Sequence, residues 1–196
     1  MSYARTVLGA LVLAAGVATT ATAQHHPVRF FAKGGGYNAL TDLNDAGTAD
    51  FKKVGYNLGG GVGVGINRYV TLRGDFDFGR NELRNNTVPS GIRTNRFFYD
   101  AALQLQYPTS SGFEPYVFAG GGAVTVHQVG TTGQNKTRGA GTFGLGLNYL
   151  IPNSRFGVFA EGKSWLYKFN KIGGAFTGFD KTQLEVAWSG GISVRL

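Results

Sequence analysis

Three histidines, an absence of cysteine and a modest set of carboxylates limit the chemistry open to this 196-residue chain. Without cysteine there is no disulfide framework, thiolate metal site or thiol nucleophile. A hydrolytic site needs a nucleophile, a histidine base and an orienting carboxylate. His25 and His26 sit together near the start, and His127 has Thr125 two residues before it but no serine two residues after. His127 is therefore read as a polar rim residue on the charged face of its strand, not as a catalytic base. Gly139-Ala140-Gly141-Thr142-Phe143-Gly144 matches G-x-G-x-x-G, but alternating strand residues run on to Ile151 where a dinucleotide site requires a helix. The runs Gly34–Gly36, Gly59–Gly61 and Gly120–Gly122 lack the Gly-Lys-Ser/Thr of a phosphate loop. No catalytic residue, cofactor site or metal site is expected.

The elements that position the remaining charges have a period of two. From Lys53 to Ile66 the even positions are Val54, Tyr56, Leu58, Gly60, Val62, Val64 and Ile66, while the odd ones are Lys53, Gly55, Asn57 and four glycines. Eight such segments are predicted at about 28–38, 53–66, 69–79, 95–107, 115–128, 138–151, 156–169 and 182–196. Their connections alternate between short (Asn67-Arg68, Pro108 to Glu114, Pro152 to Arg155) and long (Leu40 to Lys52, Arg80 to Thr94, Val129 to Thr137, Asn170 to Lys181). An even strand count with alternating connections describes an all-β, eight-stranded antiparallel up-and-down barrel with both termini at the short-turn end.

One face of each strand is apolar. The greasier parity holds Phe30 and Ala32, then Val70, Leu72, Phe76 and Phe78, then Phe97, Tyr99, Leu103, Leu105 and Tyr107. It continues with Tyr116, Phe118, Val124 and Val126, and with Phe143, Leu145, Leu147, Tyr149 and Ile151. Phe156, Val158 and Leu166, and then Leu184, Val186, Trp188, Ile192, Val194 and Leu196, complete it. In the eight segments Lys168, next to a strand end, is the one Asp, Glu, Lys or Arg on that face, whereas the opposite face carries thirteen, of both signs. A soluble barrel would turn the apolar face inward and carry far more surface charge. A transmembrane barrel turns it to lipid and pairs its charges inside. Aromatic residues near strand ends (Tyr107, Tyr116, Tyr149, Phe156) fit an interfacial girdle. The bare second strand is expected to receive inward bulk from Tyr37, Phe159 or Trp165.

The first 23 residues read as an export signal. Arg5 precedes the apolar stretch Thr6 to Ala18, and Ala21-Thr22-Ala23 offers a small-x-small cleavage site, so residues 24–196 are the expected mature barrel. The apolar stretch is too short to span a bilayer.

Eight strands leave an interior just filled by side chains. Lys33, Arg73, Asp75, Asp77, Asp100, Glu161, Lys163 and Glu185 are therefore expected to form a structural ion-pair network. Residues 39–53, 80–96, 129–138 and 168–181 form the loop end, with eleven cations against five anions, a net +6 of the mature +7. Arg80, Arg84, Arg93, Arg96, Lys136, Arg138, Lys168 and Lys171 are the candidate rim facing the phosphates of lipopolysaccharide. These cations are scattered over four loops of an exported chain, which argues against nucleic acid.

With these features assembled, nearly all of the mature chain resembles the small outer-membrane β-barrel family, of the OmpA/OmpX-like or opacity-protein type. The residues that carry the resemblance are the first strand Phe30 to Tyr37, the glycine-rich second strand, Phe159-Ala160-Glu161-Gly162-Lys163, and the ending Ser189-Gly190-Gly191-Ile192-Ser193-Val194-Arg195-Leu196. That ending is similar to the signal read by the family's assembly machinery, with Leu196 in place of the usual terminal Phe. The resemblance implies a monomer in the bacterial outer membrane, with periplasmic termini and extracellular loops. It implies envelope maintenance or surface recognition without catalysis. A small or gated pore is the alternative, and a lipid-modifying enzyme a distant third. The tethering role of longer members is not expected.

Overall fold

The computed structural model describes residues 27–42, 49–50, 54–82, 84–85, 93–129, 135–169 and 181–196. The export signal, the Gln24 start and parts of all four long loops lie outside the described residues. Eight strands close into a barrel: β1 (Val28–Ala39), β2 (Gly55–Gly65), β3 (Val70–Glu82), β4 (Arg93–Gln106), β5 (Phe113–Val129), β6 (Lys136–Leu150), β7 (Phe156–Phe169) and β8 (Lys181–Arg195). Each pairs antiparallel with its sequence neighbours, and β1 closes the ring against β8. Closure leaves no unpaired edge, which is the condition for crossing hydrocarbon with strands. A two-residue ladder, Ala49–Asp50 with Arg84–Asn85, links the first and second long loops.

The short turns are made by local chemistry. Asn67 Oδ1 accepts the N–H groups of Tyr69 and Val70 at 2.8 and 2.9 Å, tightening the β2–β3 turn. Gly112 supplies the left-handed residue of the β4–β5 turn at φ 83°, and Asn153 that of the β6–β7 turn at 59°.

Leu58, Leu72, Leu103, Leu145, Trp188 and Ile192 are exposed on the outer wall, Leu145 at 65%. Charged and amide side chains fill the interior, the arrangement of a transmembrane barrel. In β5 the apolar side is opposite to the expected one. Tyr116, Phe118, Val124 and Val126 are buried inside, and Val117 faces outward, 53% exposed. Both parities of β5 are free of charge from 115 to 128, so side-chain size was the only guide. What places the bulk inside is the bare inner face of β6. A Cβ on Gly144 would lie 2.4 Å from Phe118 Cζ, and one on Gly146 2.3 Å from Tyr116 Cζ.

The hollow in β2 likewise has other occupants than expected. Phe31 fills the space at Gly61 and the Asp77 carboxylate that at Gly59. Tyr37 lies against Gly79 of β3, and Phe159 against Gly191 of β8. Tyr116 is therefore absent from the girdle, which retains Tyr107 and Phe156, with Phe113 tilted against Tyr149.

Candidate functional site: the charged interior and the basic rim

Three polar layers stack along the barrel. In the middle layer Lys33 of β1 faces bare Gly59 and Gly191 across both ladders, leaving room for its ammonium to reach across the lumen. Lys33 Nζ lies 3.3, 3.1 and 2.8 Å from Asp75, Asp77 and Glu161. Arg73 Nη2 and Nη1 donate to Asp75 and Glu161 at 2.7 and 2.8 Å. Lys163 Nζ reaches Asp77 and Asp100 at 2.9 Å and Asp75 at 3.3 Å. The Arg73 guanidinium is also packed between the rings of Phe31 and Phe118, 4.9 and 4.2 Å from their centroids. Tyr116 Oη and Trp165 Nε1 donate to Glu161 and Asp100. Three cations thus share four carboxylates, each held by at least one cation at hydrogen-bonding distance, as buried charges require.

Toward the loop end lies a second layer. Glu185 does not join the central network. It accepts from Tyr37 Oη, from Tyr167 Oη at 2.7 Å, and pairs with Arg96 Nε at 3.1 Å. Phe98 and Trp165 stack with centroids 4.2 Å apart, and the Tyr37 and Tyr167 rings meet Phe98 edge-on. All four rings are buried, so aromatic bulk and the ion network together fill the cross-section of the lumen.

The rim assignment needs correction at three positions. Arg96 is fully buried, donates to Asn81 and sits over the Tyr37 ring, so it belongs to the interior and not to a lipid-facing rim. The β3–β4 ladder continues to Glu82 opposite Arg93, three residues past Arg96, and this sinks Arg96 below the mouth. Lys136 and Arg138 pair opposite the inward-facing Val126 and Val124, which places them on the lumenal side of the mouth. Among the described loop-end residues, the outward-facing cations are Arg80, Arg93 and Lys168. Arg80 Nε donates to Asn95 at 2.7 Å, and Arg93 lies 3.6 Å from Glu82 at the surface. The Arg84 side chain and Lys171 lie outside what is described.

Two residues that the sequence reading placed elsewhere belong to the outer and turn-end chemistry. His127 is on the outward face of β5, hydrogen-bonded through Nδ1 to Asn135, not on the charged face. Because β5 is inverted, parity alone now places it there. Glu114, read as a turn residue, is buried at the turn end and receives Arg29 Nη2 at 2.7 Å, Arg195 Nη2 at 3.0 Å and Asn148 Nδ2 at 2.9 Å. Extending the corrected inward parity of Tyr116 and Phe118 back two residues reaches it. Among the described residues, no group of three or more His, Cys, Asp or Glu side chains is arranged to hold a metal ion.

The family comparison agrees with a β-barrel of the outer membrane. Residues 9–192 match the outer membrane protein β-barrel domain. The chain belongs to that family. Among solved structures it is similar to Neisserial surface protein A, at 18% identity and a TM-score of 0.62, covering 86% of this chain and 97% of that one. It is also similar to the outer membrane protein OprG from Pseudomonas aeruginosa, at 15% identity and a TM-score of 0.55, covering 88% and 97%. The N-terminal barrel domain of OprF from the same organism aligns at 17% identity with a TM-score of 0.50, over 87% and 98%. At these identities the likeness is one of fold. No curated protein matches the chain.

Proposed function

We propose that this chain is a non-catalytic barrel of the bacterial outer membrane that holds lipopolysaccharide through a basic belt on its outer wall, and so serves envelope maintenance and surface recognition. The termini and short turns face the periplasm, and the long loops face outward. The observation that carries this reading is a polar row at one height of the loop end. Arg80, Asn95 and His127 are successive cross-strand partners on the outward face of β3, β4 and β5. Directly beneath the row, Phe76, Phe78, Phe97 and Tyr99 form a tilted ring cluster with centroids 5.3 to 6.3 Å apart. Arginine and amide donors above an aromatic ledge match a phosphorylated glycolipid, whose headgroup meets the donors and whose acyl chains meet the rings. Arg93 and Lys168 extend the positive surface along the same end.

The pore alternative gains no support from the lumen, which the aromatic layer and the ion network occupy. As for a lipid-modifying activity, the hydroxyls on the same face as His127, Thr125 and Thr137, are hydrogen-bonded to each other, and the His127 Nδ1 is engaged by Asn135.

Each exposed contact contributes little, about 0.2–1 kcal/mol, so the grip is collective and salt-sensitive. With Arg80, Arg93 and Lys168 all changed to Gln, lipopolysaccharide binding in nanodiscs should weaken by roughly tenfold at low salt. Its salt dependence should flatten while heat-modifiable gel mobility stays that of the folded parent. A triple variant that binds like the parent at low salt would show the belt to be only a solvated surface.

A further inference from the structure

The turn end of the barrel contains a cavity of about 520 Å³ that opens beside the short turns. This falls within the range of small-molecule pockets, about 300–1,000 Å³. It is a dead end. Arg73, Glu161 and Tyr116 close it from above, and the Lys33 network and the Phe98–Trp165 stack lie beyond them.

The lining is lopsided in two ways. Its charges are four arginines, Arg29, Arg68, Arg73 and Arg195, against two glutamates, Glu114 and Glu161, with Arg73 also paired to Asp75 behind the wall, so the excess lies with Arg29, Arg68 and Arg195 around Glu114. Both glutamates are already doubly paired, Glu114 with Arg29 and Arg195, and Glu161 with Lys33 and Arg73. Arg195 Nε is buried with no hydrogen-bond partner among the described residues. A buried donor of this kind is costly until an acceptor reaches it. The rest of the wall has an apolar side and a polar side. Phe31 and Phe159 meet edge to face with centroids 6.0 Å apart, and with Ile66, Pro27 and Pro108 they form an apolar side, while Thr71, Gln104, Gln106, Asn148 and Ser193 line the rest with polar groups.

We infer that this cavity is a binding site for a small anionic amphiphile, a carboxylate on a short aryl or alkyl body. The head sits on the Arg29–Arg195 pair, whose forks each spend an Nη2 on Glu114 and keep further N–H groups for a planar acceptor. The body lies along the Phe31–Phe159 wall. A cation or a neutral polar guest would leave the arginine excess unanswered, and a longer amphiphile would meet the Arg73–Glu161 ceiling.

The test uses the full mature chain in nanodiscs, with 4-phenylbutyrate as probe and 4-phenylbutyramide as its uncharged twin. Backbone amide shifts are followed at the turn end (Gly63, Gln104, Ser193) and on the lipid-facing wall (Leu145, Leu166). The carboxylate should give saturable shifts confined to the turn end, with the amide binding about tenfold more weakly. Arg195→Gln should weaken the carboxylate by a similar factor, while Arg195→Lys, which keeps the charge but lacks the fork and the Nε donor, should recover only part of that loss. Equal responses to acid and amide would overturn the inference. So would shifts on the lipid-facing wall that grow with total probe, or the absence of any saturable shift in the folded parent.

Discussion

Lys163 shows how a single residue holds this interior together. Its ammonium reaches three aspartates on two other strands, Asp75 and Asp77 of β3 and Asp100 of β4, and its side chain is almost wholly buried. Removing one partner of a buried ionic cluster leaves charge with neither water nor counterion, at a cost of about 3–5 kcal/mol. Lys163→Met should therefore lower the stability of the liposome-folded barrel by about that amount in urea titration. Lys168→Gln, exposed on the outer wall five residues later, should stay within about 0.5 kcal/mol of the parent. Equal effects of the two would mean that the interior charges are hydrated and not mutually held. Arg96 makes the complementary point. Its inward parity was readable from the alternation in β4, but its depth was not, because depth depends on how far the β3–β4 ladder runs, and strand ends carry no periodic signal. The one cation taken from the rim to the interior is thus the one whose position depended on ladder length.

At the scale of the strand, β5 separates what alternation can and cannot encode. In the other strands the charges below the loop end fall on one parity, and that parity faces inward in the structure. β5 has no charge between 115 and 128, and its two faces differ only in bulk. Bulk belongs inside here because β6 presents Gly144 and Gly146 to Phe118 and Tyr116, a complementarity between strands that no single-strand pattern contains. Phe118→Ala should leave a cavity beside the Arg73 guanidinium and cost about 3–5 kcal/mol. Val117→Arg, opposite Leu145 and Leu105 on the outer wall, should cost about 2–4 kcal/mol for a charge near mid-membrane. Thr137→Arg, outward at the loop end, should cost about 0–1 kcal/mol by the same depth dependence. Folding yields in liposomes report all three. Val117→Arg assembling like the parent while Thr137→Arg fails would reverse the depth and the facing assigned to this strand. The same reversal explains why Glu114 and His127 were misplaced, since both sit on β5 and follow its parity.

For the whole molecule, the architecture was legible because closure, strand number and face chemistry are all written in repeats: eight alternating segments, alternating connection lengths, and charge concentrated on one side. The site was less legible. Burial of the central charges follows from the small bore of eight strands. Their division into a central cluster and a separate Glu185–Arg96 layer follows from which strands lie across the lumen from one another, and only the closed barrel sets that. The central claim is that the chain crosses a bacterial outer membrane with its long loops outside and its short turns in the periplasm. The absence of native cysteine makes a direct test simple. Asn135→Cys marks the loop end and Ser110→Cys the β4–β5 turn, both exposed. Intact cells treated with a membrane-impermeant maleimide should label Asn135→Cys at once, and Ser110→Cys only after the outer membrane is permeabilised. Labelling of the turn but not the loop in intact cells, or recovery of either variant in a soluble fraction, would contradict the account.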